Sequence, residues 1–89
     1  MYILALNCGS SSLKYQVFDV DSKQPIVGGN VEKIGLPDSF VTQKYPDGTK
    51  QKKETSMKNH DEALNVVLFM LREASIDLNE IKGVGHRVV

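Results

Sequence analysis

The sequence predicts an α/β fold, with a mixed β-sheet that contains an antiparallel meander and a hairpin, and with one main helix. Three patterns predict it: an apolar run followed by alternating residues, a hairpin turn near the middle, and one amphipathic stretch with helical spacing. The composition agrees, because 40% hydrophobic and 25% charged residues are typical of a folded domain. We expect a single, incomplete domain over residues 1–89.

The first part of the chain predicts three strands in a meander. Residues 2–6 form a continuous apolar run, which suits a central strand covered on both faces. Residues 13–18 alternate between two faces and return antiparallel after a turn of small residues. A third strand is expected over residues 26–34, where Gly28 and Gly29 indicate a bulge or the close approach of another backbone.

The second part predicts a hairpin and a final strand. Residues 40–45 and 49–55 flank Pro-Asp-Gly, and Gly48 allows the positive φ that a short hairpin loop requires. The lysines within residues 50–53 are expected to form a solvated strand face, since no aromatic residue is interleaved among them. Residues 84–89 predict a strand, and because the chain stops within it we infer a truncated domain.

One helix is predicted over residues 60–74. Asn59 and Glu62 resemble a capping box, and apolar residues follow at helical spacing. Phe69 widens the apolar face, so we expect the helix to lie between a sheet and further protein. His60, at the helix start, is expected to be solvated.

Charge and cysteine content restrict the function classes. Eleven basic residues balance 11 acidic ones, so no net charge draws the chain to nucleic acid or to a membrane, and neither is expected as a partner. Cys8 is the single cysteine, which excludes an internal disulfide and a cysteine-rich metal site. We interpret it as a small packed residue in a reducing compartment, the cytoplasm.

The candidate site is the small-residue turn after the first strand. Gly9, Ser10 and Ser12 leave backbone N–H groups accessible, which favours binding of an anion such as phosphate. The strand period places Ser12 and Lys14 on one face. The turn is not a Walker A loop, because Leu13 stands where that motif requires glycine. A serine-rich turn without a ligand remains the alternative from spacing alone.

Residues 6–16 (Leu-Asn-Cys-Gly-Ser-Ser-Ser-Leu-Lys-Tyr-Gln) and residues 84–89 (Val-Gly-His-Arg-Val-Val) resemble the N-terminal portion of the acetate and propionate kinase family. The resemblance covers the whole chain in order. It implies the fold of the actin, Hsp70 and sugar kinase superfamily, which is ribonuclease H-like. The chain would then be the N-terminal portion of the first of two kinase domains.

The resemblance also implies a reaction: transfer of the γ-phosphoryl group of ATP to acetate, giving ADP and acetyl phosphate, with Mg²⁺. It implies a cytoplasmic enzyme that is a homodimer at full length. Alternatives are a propionate or butyrate kinase and a non-catalytic nucleotide-binding module. Cys8 stands where the acetate enzymes commonly have alanine and where propionate relatives have cysteine, so it leaves the acyl substrate open. The family's catalytic residues correspond to positions beyond Val89, so the isolated chain is expected to be inactive.

Roles at the first turn follow from the resemblance. Asn7 would help to hold Mg²⁺, Lys14 would contact ATP, and Ser10 and Ser12, with Gly9, would lie near the phosphates. For Asn7 the alternative is a strand-ending residue bonded to its own backbone. For Lys14 it is a solvated strand lysine.

Near the C-terminus, Arg87 would bind the substrate's carboxylate or the transferring phosphoryl group. A guanidinium suits either ligand because its planar fork donates two parallel hydrogen bonds. The alternative is a surface ion pair. The neighbouring His86 is interpreted as a structural histidine.

Overall fold

The computed structural model describes the backbone of residues 1–88 and the side chains of residues 1–85. Along the chain it contains these elements: β1 (Tyr2–Cys8), β2 (Leu13–Asp19), β3 (Pro25–Glu32), β4 (Phe40–Lys44), β5 (Lys50–Glu54), α1 (His60–Glu73), a 3-10 turn (Leu78–Glu80) and β6 (Ile81–Val88).

The strands form one mixed sheet in the order β5-β4-β3-β2-β1-β6. β1 to β5 form an antiparallel meander, whereas β6 pairs parallel to β1. A parallel neighbour requires a long crossover connection, which α1 and the 3-10 turn supply. The predicted class is therefore confirmed, with a mixed sheet, a meander, a hairpin and one helix.

The core lies between one face of the sheet and α1. Alternate residues of β1, β2, β3 and β4 point to this face, as the strand period requires. The helix contributes the buried face Ala63, Val67, Met70 and Leu71. Burial of each Val, Leu or Met side chain contributes about 1.5–3 kcal/mol to folding stability. This apolar layer therefore determines which sheet face the helix covers.

The other face of the sheet is open. In β1, Leu4 and Leu6 are buried in the core, whereas Ile3 on the other face is 41% exposed. The prediction of a strand covered on both faces is therefore wrong for the described residues, because the single helix covers one face only. β1 also continues past Asn7 to Cys8, which packs partly buried against the core.

The predicted close approach at the glycine pair is confirmed. A Cβ atom on Gly29 would lie 2.6 Å from the Thr42 carbonyl oxygen and 2.5 Å from the Tyr15 hydroxyl. The register irregularity lies elsewhere, between Val17 and Phe18 of the β2–β3 pair. Gly29 is thus required for space and does not form a bulge.

Besides the end of β1, two predicted strand limits differ from the structure by two residues or more. β3 ends at Glu32, because Lys33 has a φ of 58°, in the left-handed region that ends a strand. β6 begins at Ile81, three residues before the predicted start, because Ile81 and Gly83 already pair with β1. A Cβ atom on Gly83 would be 3.8 Å from Ile3, an ordinary contact.

The helix prediction is confirmed to within one residue. The Asn59 side chain accepts from the Glu62 N–H at 2.9 Å, and Glu62 Oε1 accepts from the Lys58 N–H at 3.1 Å. These bonds satisfy N–H groups that a helix start leaves without partners. Among the described residues, no helix is long and apolar enough to cross a membrane.

The lysine-rich β5 is exposed along its whole length, as predicted. Its lysines nevertheless contact aromatic rings from other elements. Lys52 Nζ lies 4.5 Å from the Phe40 ring centroid, and Lys53 Nζ lies 5.1 Å from that of Phe69. Phe69 is 43% exposed on the helix surface, and the Lys53 ammonium lies over its ring.

Candidate functional site

The turn between β1 and β2 is a tight corner. The last strand pair joins Cys8 to Leu13, and the Gly9 N–H donates to the Ser12 carbonyl at 2.9 Å. The two serines between them form the tip. A Cβ atom on Gly9 would lie 2.7 Å from Ser12 Oγ, so glycine leaves room for that hydroxyl.

The carbonyl groups of this turn are engaged by distant parts of the chain. His60 Nε2 lies 2.8 Å from the Gly9 oxygen and 3.3 Å from the Ser12 oxygen. The Ile34 N–H donates to the Ser11 oxygen at 3.0 Å. One side of the turn is therefore held by donors from α1 and from the loop that follows β3.

The N–H groups of the turn tip are available. Within the described part of the chain, residues 10–12 donate no backbone hydrogen bond in the turn. Ser10 and Ser11 are exposed and Ser12 is half-buried, so short side chains surround these donors. Consecutive accessible N–H groups with nearby hydroxyls form a concavity that suits phosphate oxygens.

His60 is not solvated, and the prediction on this point is wrong. Its ring is half-buried and contacts the turn. Because both ring partners are carbonyl oxygens, Nε2 must carry the proton and donate. The contact joins residues 51 positions apart, and no local pattern in the sequence indicates it.

A row of polar residues crosses the open face beside the turn. In register, Asn7 of β1 lies opposite Lys14 of β2, and Lys14 lies opposite Asn30 of β3. On its other side, Asn7 pairs with Arg87 of β6. Directly paired residues share a sheet face, so Asn7, Lys14 and Asn30 form one row across three neighbouring strands.

Backbone register thus brings together three of the predicted ligands. Lys14 is exposed on the face opposite the core, while Leu13 is buried in the core, as the strand period predicts. The side chains of Arg87 and His86 lie outside the described residues. Their roles therefore stay predictions, and only the register position of Arg87 beside Asn7 is described.

Asn7 has an unusual side chain. Its Oδ1 atom is buried and accepts no hydrogen bond from the described residues. A bond to its own backbone, the alternative interpretation, is therefore not formed. Leaving a buried acceptor without a partner costs about 1–3 kcal/mol, which indicates a position where a ligand completes the bonding.

The described residues supply one side-chain ligand that suits Mg²⁺. A neutral amide oxygen is a hard ligand, and Mg²⁺ in proteins takes one or two side-chain ligands together with phosphate oxygens and water. Asn7 Oδ1 can supply one such ligand. The described residues contain no cluster of three or more His, Cys, Asp or Glu, so they form no complete metal site of their own.

An open groove adjoins the polar row. It has a volume of about 790 Å³ and runs along the open face of the sheet. Its lining includes Asn7, Lys14, Asn30 and Lys44. Two ammonium groups and several side-chain amides at one groove suit an anionic ligand with several oxygen atoms.

Comparisons with known proteins agree with this arrangement. The sequence model of the acetokinase family matches residues 2–89. The acetate kinase of Clostridium novyi is 50% identical over 93 residues, covering 100% of this chain and 23% of that protein. The acetate kinase of Thermoanaerobacter pseudethanolicus is 46% identical over the same coverage.

Two solved structures have the same fold. The acetate kinase of Porphyromonas gingivalis superposes with a TM-score of 0.89 at 37% identity, over 96% of this chain and 22% of that one. A propionate kinase from Francisella tularensis has a TM-score of 0.85 at 32% identity, over 99% of this chain and 22% of that one. The chain spans less than a quarter of the length of these relatives, and it belongs to the acetokinase family.

Proposed function

We propose that this chain forms part of an ATP-dependent acetate kinase, in which the turn of residues 9–12 binds the nucleotide's terminal phosphates. Under this proposal residues 1–89 are one incomplete domain, the N-terminal portion of the first of two. The observation that carries the proposal is the turn itself: His60 and Ile34 engage the carbonyls of Gly9, Ser11 and Ser12, and within the described residues the N–H groups of residues 10–12 donate no backbone hydrogen bond. Such a turn presents N–H donors to an anion, while three of its carbonyl acceptors are already engaged.

The polar row supplies charge next to this turn. Lys14 would neutralise phosphate oxygens, and the Ser10 and Ser12 hydroxyls would donate to them. Arg87, paired in register with Asn7, would bind the acetate carboxylate or the transferring phosphoryl group. Donors aligned on both sides of the transferred group would place it between ATP and the acceptor.

The chemistry requires positioning and little else from these residues. A carboxylate oxygen of acetate forms a bond to the γ-phosphorus, the bond from that phosphorus to the β,γ-bridging oxygen breaks, and ADP leaves. The acceptor is ionised at neutral pH, so no general base has to remove a proton from it. In such loose transition states catalysis comes mainly from orientation and charge neutralisation.

Magnesium belongs to this proposal. Asn7 Oδ1 would hold it, directly or through a water molecule, and the bound ion would neutralise charge on the phosphate oxygens. Binding would also provide the partner that this buried oxygen lacks among the described residues.

A second acyl acceptor has specific support. A propionate kinase superposes on this chain with a TM-score of 0.85, and Cys8 replaces the alanine expected of acetate enzymes. We retain acetate as the proposed substrate because the curated relatives with 43–50% identity are acetate kinases.

Location and assembly complete the proposal. A cytoplasmic homodimer would be in keeping with the resemblance, and the single half-buried cysteine agrees with a reducing compartment. Light scattering on the intact polypeptide that carries this chain would measure its oligomeric state.

The experiment that tests the function assays this intact polypeptide with ATP, Mg²⁺ and acetate, propionate or butyrate, and traps the acyl phosphate as its hydroxamate. Formation of acetyl phosphate with the highest kcat/KM for acetate supports the proposal. A preference for propionate would instead assign the second acceptor. Titration of the 89-residue chain with Mg-ATP adds a control, since tight binding without activity on any acid would support a nucleotide-binding module.

A further inference from the structure

We propose that His60 is a positioning residue for nucleotide binding, because its Nε2–H holds the phosphate-binding turn in the conformation that presents its N–H groups. This inference rests on the proposed function of the turn. The inference adds a residue of α1 to the site. His60 lies 51 positions along the chain from Gly9, and its ring contacts the Gly9 carbonyl.

The geometry of the ring supports a holding role. Nε2 lies 2.8 Å from the Gly9 oxygen and 3.3 Å from the Ser12 oxygen, so one N–H is shared between the two ends of the corner. Between these same residues the Gly9 N–H donates to the Ser12 oxygen at 2.9 Å. The imidazole therefore clamps the pair of residues from which the tip projects.

The direction of these bonds determines what the turn can bind. A carbonyl that faced the phosphate would repel it, whereas an N–H attracts it. By engaging the oxygens of Gly9 and Ser12, His60 keeps two acceptors turned toward α1. The Ile34 N–H, in the loop that follows β3, engages the Ser11 oxygen.

The ring is not needed to start the helix. Asn59 supplies the N-cap, accepting from the Glu62 N–H at 2.9 Å, and Glu62 bonds back to the Lys58 N–H. His60 is the first helical residue, and its ring bonds are to the turn. Loss of the ring should therefore affect the turn more than it affects the helix.

The experiment compares three variants of the intact polypeptide that carries this chain. His60→Ala removes the donor, whereas His60→Gln replaces it with an amide N–H of similar reach. Arg72→Gly is the matched control, because Arg72 is an exposed residue in the last turn of the same helix, far along the chain from the first. Glycine there weakens α1 without removing any contact to residues 9–12.

Two readouts are measured on each variant. The first is the Kd for Mg-ATP from calorimetry. The second is amide hydrogen exchange of a peptide spanning residues 8–13, which includes the Gly9 N–H that is bonded to Ser12. Exchange reports on the turn whether or not a nucleotide binds.

We expect His60→Ala to raise the Kd roughly five- to tenfold, as expected for losing one hydrogen bond that orients the site. His60→Gln should restore the Kd to within about twofold of wild type. Exchange at residues 8–13 should be faster in His60→Ala only. Arg72→Gly should lower the Tm and leave both readouts unchanged.

An unchanged Kd in His60→Ala, or an equal increase in Arg72→Gly, would overturn the inference. If the wild-type polypeptide does not bind Mg-ATP, the proposed function is wrong. Exchange then still decides about His60, because unchanged exchange in His60→Ala would show that the ring does not hold the turn.

Discussion

Asn7 and Lys14 lie directly opposite each other in the β1–β2 pair, on the sheet face that α1 leaves open. One supplies a buried amide oxygen without a described partner, and the other an exposed ammonium group. Under the proposed function, a ligand for a cation and a ligand for an anion are thus adjacent, which is the arrangement that a magnesium-bound phosphate requires.

Asn7→Ala should therefore separate stability from binding. Removing a buried acceptor that has no partner among the described residues should leave the free energy of unfolding unchanged or raise it by up to about 1 kcal/mol. The same change should raise the Mg²⁺ concentration that supports half-maximal activity or ATP binding. Urea unfolding and a Mg²⁺ titration at fixed ATP measure the two effects.

Asn30→Ala is the matched control for this prediction, since Asn30 is an amide in the same polar row, next to Lys14. It should leave the Mg²⁺ dependence unchanged. A Mg²⁺ dependence in Asn7→Ala equal to that of wild type would contradict the role given to Asn7.

Gly9→Ala should weaken nucleotide binding at little cost in stability. The added methyl group would lie 2.7 Å from Ser12 Oγ, which has to rotate away from its present position. Because a hydroxyl rotates easily, we expect a loss of less than about 1 kcal/mol in unfolding free energy. A double-mutant cycle with Ser12→Ala checks the mechanism: the effect of Gly9→Ala on the Kd should shrink when Ser12 has no hydroxyl. Purely additive effects would refute it.

Gly29→Ala should destabilise the sheet. Its Cβ would lie 2.6 Å from the Thr42 carbonyl oxygen, a backbone atom that moves only with its strand. Overpacking of this kind costs about 1–3 kcal/mol. Gly85→Ala is the control, because a Cβ there meets nothing within 4 Å of the described atoms and should change stability by less than about 0.5 kcal/mol. Equal midpoints of urea unfolding in the two variants would count against this packing argument.

Tyr15 predicts how stability depends on alkaline pH. Its hydroxyl donates to the buried Gln43 Oε1 at 2.7 Å, and Gln43 Nε2 donates to the Met70 carbonyl of α1 at 2.9 Å. Burial, with a smaller contribution from nearby Tyr45, raises the pKa of Tyr15 above its ordinary value. The unfolded chain therefore loses this proton first as pH rises.

The contribution of Tyr15 to folding stability is thus complete below about pH 10, the ordinary pKa of the phenol. It is lost as pH rises toward the folded-state pKa. Stability should fall by up to about 1.4 kcal/mol per pH unit in that range. Urea unfolding between pH 8 and 12 tests this. The Tyr15→Phe variant should have a lower free energy of unfolding, and that free energy should depend less on pH. A wild-type slope no steeper than that of Tyr15→Phe would disprove the assignment.

Local patterns in the sequence account for most of the fold. Alternation placed Leu13 in the core and Lys14 outside it, and Gly48, with a φ of 90°, formed the predicted hairpin corner. These features depend on residues close in sequence, whose periodicity directly determines the exposed face. Strand ends were less predictable, because Lys33 adopts a left-handed conformation that its residue type does not indicate.

The site was predictable only in part. The small residues from Gly9 to Ser12 indicated an anion-binding turn, but the donors that orient it come from distant positions. His60 and Ile34 reach the turn only after α1 and the loop following β3 have packed. The same holds for the register that places Arg87 beside Asn7, since parallel pairing is determined by tertiary structure.

The most direct test of the account is a crystal structure of the intact polypeptide with Mg²⁺ and a non-hydrolysable ATP analogue. We expect the β- and γ-phosphates to accept hydrogen bonds from the N–H groups of residues 10–12, with Lys14 in contact and Mg²⁺ bound to Asn7 Oδ1 directly or through water. Phosphates bound away from this turn, with neither Mg²⁺ nor a bound water at Asn7 Oδ1, would contradict it.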